Sequence, residues 1–317
     1  MAETDPETQI DRRQRTAWIA ADWGTTSLRC WAMAADGTPL DAAQSGDGMG
    51  SLAPEDFEPA LLRLISDWLP PDGAGPVQVV ICGMAGARQG WIEAPYSAVP
   101  CPPVGASLAR AAANDPRIAV GIVPGLSQAR PADVMRGEET QIAGLLAARP
   151  GFDGVVCLPG THTKWAHVSA GEVVSFQTCM TGEIFALLAV RSVLRHALPG
   201  EEIDLPAFLA AVSDAMTAPQ ALAARLFGIR AESLLHGLPA PTARGRLSGL
   251  LIGQELAGTK PYWLGREVII IGAPGLSALY AQALGTVGVA AEAAETTRLT
   301  LAGLAAARAV AAGGGAA

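Results

Sequence analysis

The sequence predicts an α/β protein of two similar lobes, each built on a mixed β-sheet. Three observations carry this. Short apolar runs such as "AWIAADW", "VQVVICG" and "EVIIIG" read as buried strands, and longer segments with helical apolar spacing lie between and after them. A strand–turn–strand theme opens the chain and returns near its middle: with Gly24 set against Gly160, Thr25 faces Thr161, Thr26 faces His162 and Ser27 faces Thr163. The chain has 317 residues, 50% of them hydrophobic, enough apolar material for two cores.

The elements follow in order. "AWIAADW" is a strand that ends at Gly24, and "LRCWAMAADGTPLDAA" is a hairpin whose Asp36-Gly37 pair supplies the positive-φ turn. "EDFEPALLRLISDWL" has helical spacing, with Phe57, Leu61, Leu64, Ile65 and Trp68 on one face. "VQVVICG" is a second buried strand. The stretch after it, "GMAGARQGWIEAPYSAVPCPPVG", is too rich in Gly and Pro for long regular structure, and reads as either a ligand loop or a surface loop. "IAVGIVPG" is another short strand. "EETQIAGLLAARP" is a helix, acidic in its first turn and closed by Pro150. "DGVVCLPGTHTKWAHVSAGEVVSFQT" repeats the opening meander, and four helical segments then precede "EVIIIG", the helix "APGLSALYAQALG" and a final helix "TRLTLAGLAAARAV". The expected layout is a disordered leader at 1–15, an N-terminal lobe at 16–135, a C-terminal lobe at 136–312 and a disordered tail at 313–317.

Composition excludes several classes. The net charge of -8 argues against a nucleic-acid partner. The chain has no apolar run of the roughly 20 residues that a bilayer requires, so no membrane partner is expected. Five widely spaced cysteines read as small buried hydrophobes in a reducing cytosol, and four histidines make no zinc-like pairing with them, which places the protein in the cytoplasm. A homodimer is left open.

The two turns carry the chemistry. Gly in a tight turn exposes backbone N–H groups, Thr hydroxyls add donors, and Lys164 and Arg29 can neutralise phosphate charge. Asp22 at a strand end is costly unless paired or near a cation, and Mg²⁺ with its waters is a natural partner beside a nucleotide. It can equally cap a turn. "GAPGLSA" has GxxG rather than the dinucleotide GxGxxG, and either receives a nucleotide at a helix start or only packs a helix against a strand. Glu138 and Glu139 in "RGEETQ" can take a proton from an acceptor hydroxyl, or merely complement the helix dipole.

Taken together, "DWGTTSLRCW", "GMAGARQGWIEAPY", "DVMRGEETQIAGLL", "LPGTHTKW", "MTGEIFALL" and "GAPGLSALYAQAL" resemble the 2-dehydro-3-deoxygalactonokinase family, within the superfamily of sugar kinases and chaperone ATPases. The resemblance implies a two-lobed actin-like (ribonuclease H-like) ATPase fold, with duplicated mixed β-sheet lobes and a cleft between them. It implies ATP with Mg²⁺ as donor, and 2-dehydro-3-deoxy-D-galactonate as an acceptor phosphorylated to its 6-phosphate in D-galactonate breakdown. By motif, Asp22, Gly24, Thr25 and Thr26 serve phosphates and metal, the metal directly or through water. Gly160, Thr161, Thr163 and Lys164 serve the second phosphate turn, and Gly272 and Gly275 the adenosine end. Glu138 falls where related kinases place a catalytic Asp, and Glu139 stays open as the base. Arg88 and Arg136 can hold the substrate carboxylate by paired hydrogen bonds or form ordinary ion pairs. Gln89, Trp91 and Glu93 can line the sugar pocket, with Trp91 alternatively a packed anchor, and His162 contacts ligand or fills its turn. Glu183 is a weaker candidate. A kinase of another sugar acid, such as 2-dehydro-3-deoxygluconate, and a non-kinase ATPase switch are the rival readings.

Overall fold

The computed structural model describes residues 15–71 and 73–313. These fall into two compact units, one of residues up to Gly151 together with those from Thr297 on, the other Phe152–Thr296.

The first unit begins with β1 (Trp18–Trp23), β2 (Leu28–Met33) and β3 (Pro39–Ser45), an antiparallel meander, and Gly37 takes the positive φ expected of its turn. Helix α1 (Phe57–Ile65) follows, then β4 (Val77–Gly83), which runs parallel to β1. After β5 (Tyr96–Ala98), β6 (Ala109–Ala111) and β7 (Ile118–Ile122), the main sheet has the order β3-β2-β1-β4-β7-β6. β5 pairs instead with β8 (Gly125–Ala129) and β9 (Ala132–Met135) in a small separate sheet, and α2 (Glu138–Ala148) closes this part of the chain.

Period-two alternation sorts β1 between two cores. Ile19, Ala21 and Trp23 pack with Phe57, Leu61 and Ile65 of α1. Trp18 and Ala20 join Val80 and Cys82 against the last helix described, through its Leu304 and Ala307. Asp22 shares the parity of Trp18 and Ala20, so its carboxylate leaves the sheet on that second face.

The second unit repeats the plan. β10 (Gly154–Leu158), β11 (Thr163–Ser169) and β12 (Glu172–Cys179) form a meander, then α3 (Thr181–Arg191), α4 (Leu205–Thr217), α5 (Leu222–His236), α6 (Ala240–Gly258) and α7 (Lys260–Trp263) follow. β13 (Val268–Ile271) runs parallel to β10, and α8 (Pro274–Gly285) and β14 (Ala291–Ala294) complete a sheet of order β12-β11-β10-β13-β14. Its core joins Val155, Trp165 and Ile270 to Phe208, Ile252 and Tyr280. Helix α6 lies on α4 along Gly245, Gly249 and Gly253, where any Cβ would strike the carbonyls of Asp204, Phe208 and Val212.

The unit boundary falls after residue 151, not at 135/136, and α9 (Thr296–Gly313) returns to the first unit. Backbone contact explains both. Gly144 of α2 stands against the Leu299 carbonyl and Gly303 of α9 against that of Thr140, so the two helices cross with no side chain between them. Of the expected leader and tail, residues 1–14 and 314–317 lie outside the described residues, whereas Gly313 ends α9. Among the described residues, no helix is long and apolar enough to cross a membrane.

Candidate active site

In the first unit the Gly24–Ser27 turn is anchored from behind. Its ends are joined by a hydrogen bond from Gly24 N to Ser27 O at 2.9 Å, and Met49 N and Gly50 N donate to the carbonyls of Gly24 and Thr25 at 3.0 and 2.9 Å. Gly48 lies so close that any Cβ would overlap the backbone of Thr25 and Thr26. Thr25, Thr26 and Ser27 are left exposed. Asp22 is paired in register with Arg29 of β2, whose guanidinium bonds its Oδ2, and the Cys82 thiol lies 3.8 Å from Oδ1.

Two glycines bring the acidic helix start to this place. Gly83 ends β4 at φ +89°, and a Cβ there would run into the Trp23 carbonyl and reach 3.6 Å from Asp22 Oδ1. Gly137 caps α2 at φ +103°, and its own Cβ would meet the Gly83 α-carbon at 3.3 Å. These backbone conformations and distances call for glycine. The two glutamates that follow part company. Glu139 is wholly buried: its Oε2 accepts from Gly137 N at 2.7 Å and its Oε1 from the Thr140 hydroxyl at 2.9 Å. Burial, and secondarily the charge of Glu138, push its pKa up to about 8. Glu138 is half-buried, and its Oε2 accepts from Arg136 N at 3.0 Å.

The loop residues are also separated. Arg88 is 79% exposed and pairs with Glu93 at 3.2 Å, and Gln89 is exposed. Trp91 packs as an anchor, its ring 6.3 Å from Trp23 and 6.4 Å from Phe57. Arg136 lies over the Tyr96 ring at 4.4 Å and donates from Nη2 to the Ala94 carbonyl at 2.8 Å. Its Nε and Nη1 are buried and have no hydrogen-bond partner among the described residues. Buried cationic donors left unmet are the condition that an anionic acceptor relieves.

In the second unit the turn between β10 and β11 is also set on a glycine. Gly182 of α3 stands against the Gly160 carbonyl, and Glu183 N donates to Thr161 O at 2.9 Å. Thr161 and His162 are exposed, His162 Nε2 lying 2.6 Å from Glu183 Oε2. Thr163 and Lys164 turn inward as β11 begins, both buried. The Thr163 hydroxyl is 2.9 Å from that of Tyr280, so it is committed to the core, unlike Thr161. Gly272 at the end of β13 faces Pro159, at 3.0 Å from any Cβ, and Gly275 on α8 is open. Beside this turn is a cavity of about 450 Å³, lined by Gly160, Thr181, Phe185, Arg244, Leu276 and Tyr280 among others. Its size is that of small-ligand sites.

Sequence reasoning missed Glu255. This buried residue of α6 accepts from Trp165 Nε1 at 2.7 Å, from the Tyr280 hydroxyl at 2.9 Å and from the Thr181 hydroxyl. A lone Glu in a helical run carries no signal of such partners.

Magnesium fits only in one way. Among the described residues no group of three or more His, Cys, Asp or Glu side chains can hold a metal. One carboxylate, Asp22, with phosphate oxygens and water is the donor set that Mg²⁺ ordinarily accepts.

Duplicated mixed sheets that share the order of meander and parallel fourth strand, each with a Gly-Thr pair in its first turn, define a two-unit α/β fold. The chain belongs to the 2-keto-3-deoxy-galactonokinase family, whose sequence model matches residues 22–307. It is accordingly a carbohydrate kinase. It is 39% identical to "Probable 2-dehydro-3-deoxygalactonokinase DgoK1" of Rhizobium meliloti (strain 1021) over 92% of this chain and 97% of that one. It is 35% identical to the 2-dehydro-3-deoxygalactonokinase of Escherichia coli (strain K12), over 86% and 90% of the two chains. A solved structure from Sinorhizobium meliloti, described as a 2-dehydro-3-deoxygalactonokinase protein, superposes with a TM-score of 0.84 at 38% identity, over 92% of this chain and 99% of that one.

Proposed function

We propose that this protein is a cytoplasmic kinase that transfers the terminal phosphoryl group of ATP to 2-dehydro-3-deoxy-D-galactonate, giving the 6-phosphate and ADP in D-galactonate breakdown. Family membership supports the reaction class. The structural observation that carries an acidic acceptor is Arg136, two of whose buried guanidinium nitrogens find no partner among the described residues.

The acceptor is assigned to the first unit. Arg136 is assigned to its carboxylate as the cationic partner, while Tyr96 and the Ala94 carbonyl hold the guanidinium plane. Glu138 is the base. It is the more accessible of the two glutamates, and the Arg136 N–H orients its carboxylate. It takes the proton as the substrate hydroxyl oxygen bonds to phosphorus and the bond from phosphorus to the ADP oxygen breaks. Glu139, neutral below about pH 8, holds the Gly137 turn that presents it. Asp22 would hold Mg²⁺, which when bound neutralises phosphate charge. Thr25 and Thr26 supply hydroxyl donors to phosphate. The nucleotide is assigned to the second unit, its phosphates to the Gly160–His162 turn and its adenosine to the adjoining cavity, beside Gly272 and Gly275.

The test is mass-spectrometric detection of a phosphorylated product from ATP, Mg²⁺ and a panel of sugar acids. The reading requires 2-dehydro-3-deoxygalactonate to be the preferred acceptor. Preference for 2-dehydro-3-deoxygluconate would change the substrate, and ATP hydrolysis without phosphorylated product would refute the kinase.

A further inference from the structure

Glu255 ties together four pieces of the second unit that are far apart in sequence. Its partners stand 90, 74 and 25 residues away, at Trp165, Thr181 and Tyr280. Trp165 belongs to β11, the strand that leaves the Gly160–His162 turn. Thr181 opens α3 and precedes Gly182, which stands against the Gly160 carbonyl. Tyr280 lies on α8, the helix that follows Gly272 and Gly275, and its hydroxyl continues the chain to Thr163 at 2.9 Å. Gly160, Thr181 and Tyr280 all line the 450 Å³ cavity. One carboxylate, 5% exposed, thus receives only donors, and each donor sits on an element that shapes the turn or the cavity wall.

We propose that Glu255 is a positioning residue for nucleotide binding: it touches no ligand, and it holds the second phosphate turn and the cavity in register through Trp165, Thr181 and Tyr280. This rests on the assignment of ATP to the second unit. Apolar replacement takes the acceptor from three donors in a dry interior, of which the Tyr280 hydroxyl alone keeps a second partner in Thr163, and frees the turn from α3 and α8. Glutamine is different. Its carbonyl can face the Trp165 N–H, which cannot reverse, and its amide can donate to the two hydroxyls, which can rotate to accept. The network is then complete with its direction changed.

The experiment compares full-length wild type, Glu255→Leu and Glu255→Gln by ATP calorimetry without sugar, together with KM for ATP and for the sugar acid. Glu255→Leu is expected to weaken ATP binding about ten- to hundredfold. KM for the acid should not move, and Glu255→Gln should restore ATP affinity. Glu255→Leu that binds ATP like wild type, or that loses both substrates in parallel, overturns the proposal. If Glu255→Leu does not fold, Tyr280→Phe and Thr181→Val each remove one hydroxyl and must raise the ATP constant selectively; no change in either overturns it as well. A wild-type protein that fails to bind ATP refutes the kinase reading and this one together, whereas wild-type binding with an indifferent variant refutes this one alone.

Discussion

Arg29 stands opposite Asp22 across the first hairpin and holds its carboxylate in an ion pair. The pair is half-buried, with Asp22 at 17% and Arg29 at 34% side-chain exposure, and the guanidinium also lies 5.6 Å from the Trp31 ring. A cation seeking Asp22 therefore competes with Arg29. Arg29→Met should lower the Mg²⁺ concentration for half-maximal activity by up to about fivefold, and should raise KM for ATP. A Mg²⁺ titration identical to that of wild type would separate Asp22 from the metal.

Adjacent glutamates should give opposite results. Glu138→Gln removes the proposed base and is expected to lower kcat by about 10²- to 10⁴-fold while ATP binding persists. Glu139→Gln replaces a buried acid that is neutral at pH 7 by a neutral amide. The amide carbonyl can accept from Gly137 N and its NH₂ can donate to the Thr140 hydroxyl, so turnover should stay near that of wild type. Loss of turnover in Glu139→Gln with Glu138→Gln active would exchange their roles.

Glu139 also sets a pH dependence of stability. Its folded pKa, about 8, lies above the ordinary value of 4.5, so the folded state keeps a proton that the unfolded state releases. Raising pH through the window from 4.5 to 8 thus favours unfolding, by about 1.4 kcal/mol per pH unit at most, and the effect is complete above 8. Melting curves of wild type and Glu139→Gln should diverge in that window, with the variant gaining as pH rises. Parallel curves would mean that Glu139 titrates normally.

The strands at the sheet centres were legible because Ile19, Val79, Val156 and Ile270 lie in apolar runs that only a buried strand suits. β5, β6, β8, β9 and β14 were not, since runs of three to five residues are too short to show a period. Both Gly-Thr turns were readable as motifs, but which side chains face outward was not. Thr161 and Thr163 look equivalent in "GTHTK", and only the pairing of β11 turns the second inward. The same holds for Glu138 and Glu139, which leave a helix about 100° apart. Glu255 was invisible because its meaning lies entirely in distant partners.

Arg136 and Arg88 provide the last contrast. Arg136→Ala should raise KM for the sugar acid about ten- to hundredfold and leave that for ATP unchanged, and Arg136→Lys should recover only part, having charge without the fork. Arg88→Ala should do little, since its largely exposed side chain is spent on Glu93. Equal effects in both arginine variants would point to a general loss of positive charge rather than to a carboxylate site.

The crossing of α2 and α9 at Gly144 and Gly303 has a consequence for biosynthesis. A nascent chain emerging from the ribosome completes the β1–β4 sheet and α2 early, yet the face bearing Trp18, Ala20, Val80 and Cys82 has only Val104, Leu108 and Val123 against it until Leu304 and Ala307 of the final helix are translated. The first unit to be made is therefore the last to be sealed, and the helix that begins with Glu138 waits for it.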